Sequence, residues 1–216
     1  MRKVWKVFGF VVLGGVGLAA AAVAGWWYTT NNVEQPKYAV VTRDGSIEVR
    51  DYPALIVAEV VRGGDRRAAV RAGFSPLANY IFAKEREGQS IAMTAPVTQR
   101  RESIAMTAPV TQRLQPGADD RWVVRFIMPS EYALEDLPLP ASADVSLKPV
   151  PPARRAAIRF SGVATDVLIA EQEARLMAWL ERRGLTPQGS PTYAYYNDPF
   201  TPGPLRRNEV LVDLAD

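Results

Sequence analysis

Ser90 to Arg100 reads SIAMTAPVTQR, and Ser103 to Arg113 reads SIAMTAPVTQR again, with only Arg101 and Glu102 between the copies. In each copy apolar and small polar residues alternate with the two-residue period of a strand. Ile91, Met93, Ala95 and Val97 fall on one face, with Ala92, Thr94, Pro96 and Thr98 on the other. A turn at Arg101 and Glu102 would pair the copies antiparallel, setting Val97 opposite Met106, Ala95 opposite Ala108 and Met93 opposite Val110, so that both apolar faces coincide. Arg-Glu lacks the Asn-Gly or Asp-Gly signal of a tight loop, so a longer connection serves equally well. Pro96 and Pro109 cannot donate to a ladder and belong at an edge, a bulge or the open end of a barrel. On strand geometry alone this is a half-buried hairpin with its methionines in the core.

Outward from the repeat, strands and helices alternate in two similar runs. Tyr38 to Arg43 and Ser46 to Asp51 predict a hairpin around Asp44-Gly45, and Ala54 to Val61 a third strand between Pro53 and Gly63. Asp65 can cap a short helix that Gly73 and Pro76 interrupt; Ser75 and Pro76 then restart it, with Phe74, Leu77 and Ile81 forming an apolar stripe. A strand from Trp122 to Met128 follows the repeat. In the second run, Asp144 to Val150 and Ala156 to Phe160 flank Pro151-Pro152. Thr165 can cap a helix to Arg183, with Ile169, Ala170, Ala174, Met177 and Leu180 on one side, a Glu171–Arg175 pair on the other and Gly184 as its stop. Thr192 to Tyr196 and Asn208 to Leu214 are the last strands, Tyr193 and Tyr195 facing one way and Tyr196 the other. This order predicts an α+β fold in which two halves close one antiparallel sheet.

Residues 1 to 35 read separately from residues 36 to 216. Val7 to Tyr28 carries no charge and is long enough, at about 1.5 Å per residue, to cross a bilayer core of about 30 Å. Arg2, Lys3 and Lys6 precede it, and Trp26, Trp27 and Tyr28 stand where an interfacial aromatic belt lies, so an anchor with an exported domain is expected. A cleaved signal peptide is the alternative, because Ala22-Val23-Ala24 fits a small-residue cleavage site and would give a secreted domain. The chain has 26 basic and 23 acidic residues. Setting aside the three basic ones before the apolar run leaves a formally neutral domain, which has no electrostatic footprint for nucleic acid.

The chain contains no cysteine and no histidine. A Ser-His-Asp or Cys-His catalytic group, a zinc-hydrolase motif, an iron–sulfur site and a c-type haem attachment are therefore excluded. Asp119-Asp120 and Glu135-Asp136 sit in polar, loop-like sequence and read as solvated surface, so no acid or base stands out for an enzyme.

IAMTAPV after GFSPLANYIF (73–82), then FIMPSEY (126–132), FSG (160–162), YNDPFTP (196–202) and RRNEV (206–210), resembles the SOUL haem-binding protein family over nearly the whole chain after its N-terminal segment. The doubled block looks like a variation of bacterial-type members. The resemblance implies a distorted antiparallel β-barrel flanked by two helices, and non-catalytic binding of haem or another tetrapyrrole in a shallow apolar groove, with basic groups near the propionates. Some members use an axial histidine, which this chain cannot supply. Met93, Met106, Tyr193, Tyr195 and Tyr196 remain as thioether or phenol donors to iron, although each taken singly reads better as core than as ligand. Binding without an iron ligand would draw apolar contact from Phe74, Leu77, Ile91 and Met93 and a propionate partner from Arg206 or Arg207. A membrane-tethered sensor for other amphipathic small molecules, or for a protein partner, is the second reading; the oligomeric state is not encoded in any motif.

Overall fold

The computed structural model describes residues 34–82, 108–115, 121–197 and 200–215. Its strands are β1 (Ala39–Asp44), β2 (Ile47–Tyr52), β3 (Leu55–Gly63), β4 (Val110–Leu114), β5 (Arg121–Ile127), β6 (Ser146–Val150), β7 (Ala153–Phe160), β8 (Pro187–Tyr195) and β9 (Asn208–Leu214). Helix α1 (Arg66–Ile81) follows β3, and α2 (Asp166–Arg183) follows β7. The strands form one antiparallel sheet in the order β1-β2-β7-β9-β8-β4-β5-β3-β6. From the central β4–β8 pair the sequence β5, β3, β6 runs outward one way and β9, β7, β2 the other.

The fold is α+β as expected, but the sheet stays open where a barrel was anticipated. Its edges, β1 and β6, do not pair. Both are poor templates for closure: Pro149 in β6 has no N–H to donate, and β1 is bulged between Val40 and Thr42. The β1–β2 hairpin turns at Gly45, whose φ of 59° suits a residue without a Cβ.

Helix α1 corrects the expected interruption at Gly73 and Pro76, because it runs unbroken from Arg66 to Ile81. Asp65 caps it, accepting from the Ala68 N–H at 2.8 Å. Pro76 cannot serve the Ala72 carbonyl four residues back, and Arg62 Nε donates to that oxygen instead at 3.4 Å. Gly73 is a packing residue, since a Cβ there would lie 2.8 Å from Cβ and Cγ2 of Val124. Leu77 and Ile81 are fully buried with Tyr80 against Ala58, Val60, Val124, Phe126 and Met128. Substituting Gly73→Ala should lower stability by about 1–3 kcal/mol through overpacking, even though alanine at a helix interior ordinarily gains up to about 1 kcal/mol. A urea midpoint that stays or rises would show that α1 can lift away from β5.

Helix α2 begins at the Thr165 cap and ends at Gly184, which adopts φ 65°, with Leu185 N–H donating to the Leu180 carbonyl at 3.1 Å. Its inward face is Ile169, Gln172, Leu176, Trp179 and Leu180. Ala170 and Ala174, expected inside, are exposed: the larger Leu176 and Trp179 claim the interior and rotate the stripe. Arg175 donates to Gln172 Oε1 at 2.8 Å, not to Glu171.

The structure reaches only the end of the repeated block. Ala108 and Pro109 precede β4, so the proline needs no ladder partner. β4 has β5 on one side and β8 on the other; Val110 is opposite Phe126 and Tyr195. Both edges of Val110 are therefore taken, and the expected pairing of Met93 with Val110 is ruled out, because a strand has only two edges. The remainder of that hairpin, and the apolar run at 7–28, lie outside the described residues. Among the described residues no helix is long and apolar enough to cross a membrane.

Candidate functional site

Both helices pack on one face of the sheet, and alternation along each strand sends every second side chain to the other face. On β5, Val124 and Phe126 meet α1 while Val123, Arg125 and Ile127 point away. On β4, Val110 and Gln112 face the helices, whereas Thr111 and Arg113 face away. The helix-free face bears a groove walled by Tyr52, Leu55, Val57, Ile127, Tyr196 and Leu211, with Thr111, Arg113, Arg125, Arg155 and Thr192 among them. The space between these walls, about 600 Å³, includes open solvent. As a closed cavity it amounts to only about 50 Å³, so a flat ligand would lie across its opening.

Arg113, Arg125 and Arg155 line the groove, and Lys148, Glu59 and Asp213 stand beside them as ion-pair partners or neighbours. Arg125 Nε donates to Glu59 Oε2 at 2.8 Å, and Lys148 pairs with Glu59 Oε1. Arg155 Nε donates to Asp213 Oδ1 at 2.6 Å and lies 5.2 Å from the centre of the Tyr52 ring. Arg113 has no such partner: its nearest carboxylate oxygen is Asp213 Oδ2 at 3.7 Å, and its Nε is buried without an acceptor. Burial, and then the neighbouring charge of Arg125, depress the Arg113 guanidinium below its ordinary pKa. Burial alone would raise Glu59, but Lys148 and Arg125 overrule it and hold that carboxyl below the usual range.

At the other end of the same face lies a closed network. Arg50 grips Glu209 with both terminal nitrogens, at 2.8 and 3.0 Å. Tyr196 Oη donates to Glu209 Oε2 at 2.7 Å, and Arg207 Nη2 to Oε1 at 2.8 Å. Arg207 also lies 3.8 Å from the Tyr196 ring centre and donates to Gln35 at 2.8 Å.

The residues singled out in the sequence do not converge on one place. Leu77 is wholly inside the α1 layer, while Phe74 is partly exposed and edge-on to Phe126. Tyr195 faces the helices, its hydroxyl accepting from Arg66, which also pairs with Asp166 at 2.6 Å. Arg207 is engaged by Glu209, and Arg206 Nε donates to the Thr201 carbonyl at 2.7 Å. Ile91, Met93 and Met106 lie outside the described residues. Among the described residues, a cavity of about 10 Å³ lies on the helix side beside Pro76 and Tyr80, room for at most one water. The sequence does not single out Arg113 or Arg125, and Arg155 reads there as one of a solvated basic pair with Arg154. The signal was present: from Trp122 to Ile127 β5 is apolar on both faces apart from Arg125, the pattern of a strand with little solvent on either side.

The tyrosines are poor iron donors in this arrangement. Tyr193 donates to Glu173 at 2.9 Å, and burial followed by the Glu173 charge pushes its phenol up. Burial likewise raises Tyr195, and burial together with Glu209 raises Tyr196 strongly. All three favour the protonated form, whereas haem iron is held by phenolate. Among the described residues no group of three or more Asp or Glu could hold a metal ion, and Glu135 and Asp136 are exposed.

An open antiparallel sheet with helices on one face and an apolar, arginine-bearing groove on the other defines an α+β domain. The chain belongs to the SOUL heme-binding protein family, whose model matches residues 33–213. It is 32% identical over 105 residues to human Heme-binding protein 2, a match covering 48% of this chain and 46% of that one, so the similarity spans about half of that relative's length. A crystal structure of the EcmrR C-terminal domain has the same fold, with a TM-score of 0.54 and 12% identity over 83% of this chain and 98% of that one. A hydrolase from Listeria innocua is similar in fold too, with a TM-score of 0.53 and 13% identity over 81% and 94% of the two chains. At such identities these two likenesses concern the fold alone.

Proposed function

We propose that residues 36–216 bind haem or another tetrapyrrole non-catalytically across the helix-free groove, by apolar contact and carboxylate pairing, with no histidine on the iron. The observation that carries this reading is the groove itself, where Tyr52, Leu55, Ile127 and Leu211 wall an opening whose floor presents Arg113. Family membership supplies the ligand class, since the family is described as heme-binding. Tyr52, Tyr196 and Leu211 would meet the macrocycle, and Arg113 a propionate. The two ββαββ units, β2 to β5 and β6 to β9 with their helices, are pseudo-repeated halves that meet where β4 pairs with β8, and the groove runs over those strands. Residues 7–28 hold the domain at a membrane outside the cytoplasm; protease accessibility of intact cells and spheroplasts checks this, and a domain protected in both refutes it.

With no strong protein donor to iron, iron-free protoporphyrin should bind within about tenfold of haem, a difference below about 1.4 kcal/mol. Absorbance titration of the full chain in detergent, against empty micelles, measures it. A haem preference of a hundredfold or more, abolished by replacing one tyrosine or methionine, would overturn the unligated mode. Failure of both to bind favours the second reading, a sensor for other amphipathic molecules, which the small closed volume of about 50 Å³ also accommodates.

A further inference from the structure

We infer that the groove is a one-anion socket, in which Arg113 takes a single carboxylate of an amphipathic ligand and a second acidic group on that ligand gains nothing. The inference deepens the groove reading above and rests on it. Each of the other three cations in or beside the groove already holds a carboxylate: Arg125 and Lys148 occupy the two oxygens of Glu59, and Arg155 occupies Asp213 Oδ1. Drawing Arg125 or Lys148 to a ligand would weaken the pairing of Glu59, whose side chain is only 5% accessible, and drawing Arg155 away would take the hydrogen bond from Asp213 Oδ1. Arg113 differs from them: Arg125 and Arg155 each commit Nε to a carboxylate, whereas no nitrogen of Arg113 has one within hydrogen-bond reach. Its Nε has no acceptor, and 3.7 Å from Nη1 to Asp213 Oδ2 exceeds hydrogen-bond reach.

A carboxylate carries two oxygens at the spacing of a guanidinium edge, so one such group can take Nε and a terminal nitrogen together. It would also satisfy a buried donor and offset the crowding of Arg113 by Arg125 and Arg155, both of which act on it unfavourably. The surrounding Tyr52, Leu55, Ile127 and Leu211 are suited to an apolar body, not to a second charge. The ligand class is thus a flat or elongated apolar molecule with one carboxylate turned inward, any further acid remaining in water.

The test titrates the full chain with 1-pyrenebutyrate and its methyl ester by fluorescence, against empty micelles, and separately with protoporphyrin IX, its monomethyl ester and its dimethyl ester. The pyrene acid should bind at least tenfold tighter than its ester. Arg113→Gln and Arg113→Met should each bring the acid down to the ester's affinity while leaving the ester unchanged; Arg154→Gln, at an exposed pair with Asp51, should alter neither. Protoporphyrin and its monoester should bind within about threefold of each other, and the diester at least tenfold more weakly. Equal binding of pyrene acid and ester to the unaltered chain overturns the socket without reference to any variant, as does an acid preference that survives both Arg113 substitutions. A monoester as weak as the diester overturns the single-anion claim. Pyrene acid preference without binding of any porphyrin leaves the socket standing and defeats the tetrapyrrole reading; porphyrin binding indifferent to Arg113 does the reverse.

Discussion

Replacing Glu209 by Gln is expected to lower stability by about 3–5 kcal/mol, because it leaves the buried Arg50 and the half-buried Arg207 without their common anion. The Glu209 side chain is 0% accessible and that of Arg50 2%. Glutamine keeps the volume, so the loss reports charge and hydrogen bonding, not a cavity. The companion variant Glu209→Leu with Arg50→Met removes both charges and should recover much of the loss, since apolar replacements of a buried pair are often neutral. Urea unfolding measures both; a loss below about 1 kcal/mol for Glu209→Gln would mean that water enters the network.

The same site sets a pH dependence. Burial by itself would raise the Glu209 carboxyl, but hydrogen bonds and charge from Arg50, then from Arg207, hold it below the ordinary carboxylate range. A folded-state pKa below the unfolded value of about 4.3 means that the stabilisation is fully present at neutral pH and is lost as pH falls through the folded value. Glu59 acts in the same direction. Stability should therefore decline on acidification below about pH 4, and Glu209→Gln should flatten that decline.

Trp179→Ala should cost about 3–5 kcal/mol. The indole is 5% accessible and packs among Ile47, Val49, Ile158 and Val210. Its Nε1 donates to Asp44 Oδ2 at 2.9 Å, at the β1–β2 turn, and Arg183 sits 5.2 Å from its ring centre. One side chain thus ties α2 to the sheet and to the edge hairpin. Trp179→Phe keeps most of the apolar contact and loses only the donor, so its cost should be clearly smaller. Amide exchange should then rise chiefly in the β1–β2 hairpin. Equal losses for both variants would show that the hydrogen bond outweighs the packing.

Local signals in the chain specified the elements well. The Asp44-Gly45 turn, the Asp65 and Thr165 caps and the Gly184 stop all depend on side chains or φ values at single positions, and each forms as read. The opposite orientations of Tyr195 and Tyr196 followed from strand alternation alone. Gly73 and Pro76 misled because their penalties are local while their compensation is not: Arg62, ten residues before Ala72, serves the free carbonyl, and Val124 fills the space that glycine leaves.

The family, too, was legible in short ordered motifs, and the lack of histidine and cysteine removed whole classes of chemistry without any coordinates. Strand order was not legible, because pairing in a sheet is decided between segments far apart in the chain. β4 lies between β5 and β8, and that placement excludes the pairing of Met93 with Val110 suggested by the repeat. It also brings Arg113 beside Arg125 and Arg155 while Arg207 is consumed by Glu209. Sequence by itself determined which residues are cationic, apolar or turn-forming. Only the tertiary structure decided which groove arginine is left without a hydrogen-bonded acid, because pairing depends on distance across the sheet and not on spacing along the chain.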